Sequence, residues 1–169
     1  MSIRDKYYPW ANSLSKEVSV NLATLFGLGK LPAPGTWGSA AGVLLYPVIF
    51  EHCSLIEYAI LAAALLYGAV GVCDAAERHL NRRDPGMINL DEFAAMPLCF
   101  ISLFGDSYGI VGLLSGFAIF RFFDIKKPFL IDKAQSLEGG LGCVADDAAA
   151  ALSTAACLNI CSLIWHLLS

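Results

Sequence analysis

The chain has 169 residues, of which 57% are hydrophobic and 15% charged, with a mean hydropathy of +0.61. Its length allows one domain or two very small ones, and a charged fraction well below the quarter or so typical of soluble domains leaves few ionic groups to clothe a water-facing surface. The composition excludes disordered, collagen-like and coiled-coil classes, and 11 basic against 15 acidic residues, net charge −4, exclude nucleic acid as the main partner.

Residues 1–20 form a polar, aromatic N-terminal extension of a single domain covering 1–169; Arg4 and Lys6 have no apolar run behind them, so no cleaved secretory signal is expected. Apolar segments follow at 38–50, 54–73, 93–105, 107–120 and 148–169. The last has 22 residues without a formal charge and meets the spanning criterion outright, whereas the first, third and fourth have only 13 or 14. As helices those three would reach roughly 20 Å at 1.5 Å per residue. They can be spans lengthened by their flanks, half-spans packed in protein, or core helices of a compact bundle.

All 11 Lys and Arg residues fall in three regions, 4–30, 78–83 and 121–133, and none in the connections at 51–53 and 106. Threading the segments as two helical hairpins and a terminal helix puts every basic residue on one side, as the positive-inside rule expects of a cytoplasmic face. No run alternates apolar and polar residues at hairpin spacing. The expected fold is all-α, a compact bundle of five to seven helices embedded in a membrane, with its chemistry-bearing loops on one, cytoplasmic, face.

The six cysteines, Cys53, Cys73, Cys99, Cys143, Cys157 and Cys161, form no CxxC pair. They read as small buried hydrophobes in a reducing compartment, and His52, His79 and His166 are too scattered for a zinc site. FGLGKL is no P-loop, because Leu31 follows Lys30 and Thr24 holds the first glycine position. Gly139-Gly140-Leu141-Gly142 follows no strand and is no dinucleotide fingerprint.

Three charged clusters remain, all on the basic side. In DPGMINLDEF, Asp84 precedes a Pro-Gly turn and Asp91 with Glu92 opens the third apolar segment. In FRFFDIKKP, Arg121, Asp124 and Lys127 recur every three residues on one helical face until Pro128 stops the helix. In GGLGCVADDAAAA, a glycine loop leads into Asp146 and Asp147, which open the terminal helix. One acidic pair at a helix start is explained by the helix dipole. Two pairs beside apolar helices suit a hard divalent cation, Mg²⁺, shared with a substrate phosphate, whose oxygens Arg121, Lys126 and Lys127 can hold. The alternative is that these cations only pair with the carboxylates.

Taken in order, these motifs resemble the phosphatidylglycerophosphatase A family. FGLGKLPAPGTWGSAAG is similar to its glycine-proline motif through Ala33, Pro34, Gly35, Thr36, Gly38 and Ser39. The three charged motifs match through Asp84, Pro85, Ile88, Asp91 and Glu92, then Phe120, Arg121, Asp124, Lys127 and Pro128, then Gly139, Gly140, Gly142, Asp146 and Asp147. Ala95 and Ala151 stand where the family commonly has glycine. The resemblance implies a Mg²⁺-dependent phosphatase that converts phosphatidylglycerophosphate into phosphatidylglycerol and phosphate at the cytoplasmic face of a bacterial inner membrane, with its charged motif positions retained.

On that basis Asp91, Glu92, Asp146 and Asp147 are expected to bind one or two Mg²⁺ ions. Arg121 and Lys127 neutralise the phosphoryl oxygens, and Asp124 is a ligand, a water-orienting base or a nucleophile. A loop over 30–39 shapes the headgroup pocket with Lys30, Thr36 and Ser39. Two alternatives stay open at this point, a phosphatase of another, soluble phosphomonoester and a small ion-binding transporter subunit.

Overall fold

The computed structural model describes residues 7–105, 107–128, 137 and 139–168, which contain six α-helices and no strand. A 3₁₀ turn, Pro9–Ser13, precedes α1, Lys16–Ala23, whose N-cap Ser15 accepts from the Val18 N–H. α2 spans Pro34–Leu45, with Pro34 in its first turn, and continues as a π turn over Tyr46–Phe50. α3, Leu55–Leu80, starts at a capping box in which Ser54 and Glu57 satisfy each other's backbone N–H groups. Asn81, in the left-handed region at φ 49°, ends it. α4 is short, Leu90–Ala95, and runs into a 3₁₀ turn, Met96–Phe100. α5 covers Ile110–Lys126 and α6 covers Gly140–Leu168.

The all-α expectation holds, but the elements do not pack as two hairpins. α4 and its 3₁₀ turn are wedged among the long helices, against α2, α3 and α6, while α2 and α3 make no extensive contact with each other. The third apolar segment is therefore no membrane-crossing helix. Pro97 has no N–H and ends the α-helical ladder, and Ala94, Ala95, Met96, Cys99 and Phe100 are each at most 1% exposed. This segment is the central post of the core.

Small residues allow the post to be inserted. A Cβ on Gly38 would lie 2.5 Å from the Asn89 carbonyl oxygen, and one on Gly42 would lie 2.7 Å from that of Phe93. Ala95 and Ala151 are fully buried in the same cluster. The end of the post is tied to α6 by Asn159, which accepts from the Leu103 N–H at 2.8 Å and donates to the Ile101 carbonyl at 2.7 Å. Replacing it with Leu strands both backbone groups, so Asn159→Leu is expected to cost about 2–4 kcal/mol, read as a lower midpoint in denaturant.

Among the described residues, Lys30 lies just before α2, Arg78, Arg82 and Arg83 lie at or just after the end of α3, and Arg121, Lys126 and Lys127 lie in the last turns of α5 or directly after it. At the opposite end, exposed apolar side chains form a belt, with Leu44, Val48, Leu55, Ile110, Ile164 and Leu167 among them. α3 and α6, 26 and 29 residues, are long and apolar enough to cross a membrane. The connection expected at Asp106 lies outside the described residues.

Candidate active site

The charged end holds a cavity of about 130 Å³ into which three helices and one loop deliver their motif residues. Asn89 sets the approach of α4. Its backbone N–H donates to the Ala23 carbonyl at 3.0 Å and its side-chain amide to the Pro34 carbonyl at 3.2 Å, so Asp91 and Glu92 emerge at a fixed place in the first turn. The 84–88 loop is pinned by the Asp84 N–H, which donates to Glu77 Oε1 at 2.6 Å. Asp84 sits at φ 43° and also lines the cavity.

The end of α5 supplies the cations. Arg121 Nη1 lies 2.5 Å from Asp124 Oδ2, 3.7 Å from Glu92 Oε1 and 3.5 Å from the buried Ser39 hydroxyl. α5 stops at Lys126, and Lys127 turns into the left-handed region at φ 40°. That turn carries its ammonium to Asp146 Oδ2 at 2.5 Å. Burial works against the charge on Lys127, but Asp146 and the neighbouring carboxylates outweigh it and raise its pKa.

α6 starts earlier than the sequence pattern suggests. It begins at Gly140, so Asp146 and Asp147 lie in its second turn and do not cap it, and only Gly139, at φ 62°, belongs to a loop. A Cβ on Gly140 would meet the Val70 carbonyl oxygen at 2.3 Å, and its absence lets α6 lie on α3. Helix-dipole stabilisation therefore does not account for Asp147, which is only 4% exposed, lines the cavity and has Lys127 as a neighbouring charge.

Asp91, Glu92 and Asp147 each place a carboxylate oxygen within 4.8 Å of the others. Burial, then the Asp91 charge, holds Glu92 well above the usual carboxylate range against the opposing pull of Arg121, and burial also raises Asp91. Glu92 Oε2 is buried without a partner. Three crowded carboxylates, one with an orphaned oxygen, fit a divalent cation, which would supply further positive charge.

Other expected residues fall elsewhere. The 30–39 stretch is not one loop, since α2 begins at Pro34. Lys30 is exposed in a short 3₁₀ turn and Thr36 lies half-buried in the first turn of α2; neither lines the cavity. Ser39 touches Arg121 and does not face the cavity. Gly35 leaves room for two charged side chains: a Cβ there would sit 2.0 Å from Glu92 Oε1 and 2.8 Å from Arg121 Nη1. Gly35→Ala is expected to push both side chains aside and cut turnover about 100-fold, with a melting temperature close to the parent's.

Two cavity residues escape a sequence reading. Asp84 belongs to the acidic motif, but its distance from Asp91 hides their convergence. Cys143 is not merely a small core residue: it lines the cavity, and its Sγ lies 2.6 Å from Asp91 Oδ2. The available signal was its position one helical turn before Asp147, visible only if α6 is started at Gly140. Cys73 and Cys99 are buried as expected, whereas Cys161 is exposed.

Residues 21–162 match the family described as phosphatidylglycerophosphatase A. The chain is 35% identical over 133 residues to a Haemophilus influenzae protein named phosphatidylglycerophosphatase A, covering 78% of this chain and 80% of that one. It is 30% identical over 149 residues to the Escherichia coli protein of the same name, covering 86% and 84%. A Bacteroides thetaiotaomicron protein provisionally named a phosphatidylinositol-3-phosphatase is 28% identical over 133 residues, covering 76% and 83%. No solved structure matches the chain.

Proposed function

The chain belongs to the phosphatidylglycerophosphatase A family, and from that premise we propose that it hydrolyses the terminal phosphomonoester of phosphatidylglycerophosphate, releasing phosphatidylglycerol and phosphate with the help of Mg²⁺. The observation that carries this reading is the buried Asp147 facing Asp91 and Glu92, whose Oε2 has no partner, in a cavity that also holds Lys127. A phosphomonoester brings two negative charges, and the cavity offers carboxylates for a shared divalent ion with a cation beside them.

Asp91, Glu92 and Asp147 would hold the ion, with Asp146 beside them. Polarisation of a phosphoryl oxygen and a lowered pKa for a water molecule are what a divalent cation supplies when bound. Lys127 is turned inward by its left-handed cap and steadied by Asp146, and it neutralises phosphoryl oxygens as the ester bond breaks. Arg121 stands at the edge of the same carboxylates, its guanidinium fixed by Asp124 and backed by Ser39. That ion pair favours Asp124 as the residue that orients Arg121 over Asp124 as a nucleophile. Asp84 lines the same cavity.

The placement of charge supports a membrane enzyme. The apolar belt on the far end and the helices α3 and α6 suit a lipid environment, and the clustered basic residues suit the cytoplasmic face of a bacterial inner membrane. A lipid headgroup then meets the cavity at the interface while its acyl chains stay with the apolar surface.

Phosphate release measured side by side in mixed micelles tests the substrate. Phosphatidylglycerophosphate is expected to turn over at least about tenfold faster than phosphatidylinositol 3-phosphate or glycerol 3-phosphate, in keeping with polar headgroup discrimination. Preference for the inositol lipid or for the soluble ester would overturn the assignment.

A further inference from the structure

Cys143 is the one soft donor in an otherwise hard site. Its Sγ is 2.6 Å from Asp91 Oδ2 and 3.8 Å from Asp84 Oδ1, and the three groups have donor atoms within 4.8 Å of one another. A thiol is a weak hydrogen-bond donor, so it compensates a buried carboxylate poorly; a cation between sulfur and oxygen compensates it well. Asp91 belongs to both this trio and the Asp91, Glu92, Asp147 trio, the arrangement of a carboxylate bridging two ions. Glu92 Oε2, buried without a partner at the same cavity, is a second sign that the protein's own pairing is incomplete there.

We propose that Cys143 is a sulfur ligand, and that with Asp84 and Asp91 it forms a second metal position selective for thiophilic divalent ions such as Zn²⁺ and Co²⁺, beside the all-oxygen position. The inference rests on the metal-assisted reading of the site. On binding, the S–H bond breaks, the proton passes to solvent through the cavity mouth and a sulfur–metal bond forms, with no change in oxidation state. Soft thiolate favours these ions where carboxylate alone favours Mg²⁺.

The test uses the full chain in detergent, kept reduced, stripped with a chelator and titrated with Co²⁺. A sulfur-to-cobalt charge-transfer band should grow in the near ultraviolet and saturate at one ion per chain, and Zn²⁺ should erase it at concentrations where Mg²⁺ does not. Cys143→Ser and Cys143→Ala should both lose the band, and the exposed Cys161→Ser should keep it; far-ultraviolet circular dichroism reports whether each variant is folded. Zn²⁺ affinity of Cys143→Ser should fall at least about 100-fold, since losing even an outer-shell partner costs 10- to 100-fold. Calorimetric Co²⁺ binding without the band, or a band that survives in folded Cys143→Ser, overturns the sulfur ligand while leaving Mg²⁺-dependent phosphate release intact. If neither Co²⁺ nor Mg²⁺ binds, the metal-assisted reading fails and this inference falls with it.

Discussion

Asp147→Asn is expected to lower phosphate release by about a thousandfold or more while leaving the melting temperature unchanged or higher. The two effects have one cause. Asp147 is buried beside the carboxylates of Asp91 and Glu92, so as a carboxylate it costs folding free energy. Asparagine keeps the shape and removes the charge. The native residue is therefore one that packing alone would not favour, and its charge serves function. A matched pair of measurements, melting without added metal and turnover with Mg²⁺, separates this from simple damage; lost activity with a sharply lower melting temperature would mean a structural role.

Arg121→Ala should act in the opposite way on stability. The guanidinium is the cation beside both Glu92 and Asp124, whose side chains are 13% and 12% exposed, and its removal leaves two largely buried carboxylates facing each other. Breaking a buried pair by removing one partner costs about 3–5 kcal/mol, and partial exposure brings this down to about 2–3 kcal/mol. Turnover should fall by about 10²- to 10³-fold, the scale of losing one charge-stabilising group. Arg121→Lys should recover much of the stability but less of the activity, because an ammonium cannot span Asp124, Glu92 and Ser39 as a planar fork does. Equal recovery of both would remove the geometric role assigned to the guanidinium.

The pH response of the fold follows from the same cluster. Glu92 and Asp91 have folded pKa values raised above their unfolded ones, so the unfolded chain releases their protons first. Stability from these groups is greatest below the unfolded carboxylate range and declines as pH rises through the raised values. The metal-free protein should thus gain stability on mild acidification, and saturating divalent ion should flatten that slope, as melting curves at several pH values would show.

How much was legible in the sequence depends on the length scale. The helical class, the sorting of charge to one end and the three charged clusters follow from periodicity and spacing, which are local. The role of 93–105 does not: hydropathy sees an apolar run of 13 residues and cannot tell a membrane-facing half-span from a post buried over 94–100. Pro97 was the available sign that the run would break. The start of α6 was hidden for a related reason, because Gly140 and Gly142 read as loop residues, whereas Gly140 is there to let α6 approach the α3 backbone. That shift of start moves Asp146 and Asp147 from the helix end into its second turn, and it brings Cys143 onto the face of Asp147. Likewise the Gly-Pro motif looked like a phosphate-binding loop. Its Gly35 instead makes room for Glu92 and Arg121, a tertiary contact that spacing along the chain does not encode.

The central claim is that carboxylates from α4 and α6 hold a divalent ion for phosphomonoester hydrolysis, and the most direct measurement is phosphate release from phosphatidylglycerophosphate by the purified, chelator-stripped protein in detergent, with and without Mg²⁺. Release that is absent in the stripped protein, returns with Mg²⁺ and stays absent in Asp147→Asn is the predicted result. Full release from the stripped protein without added metal would contradict it.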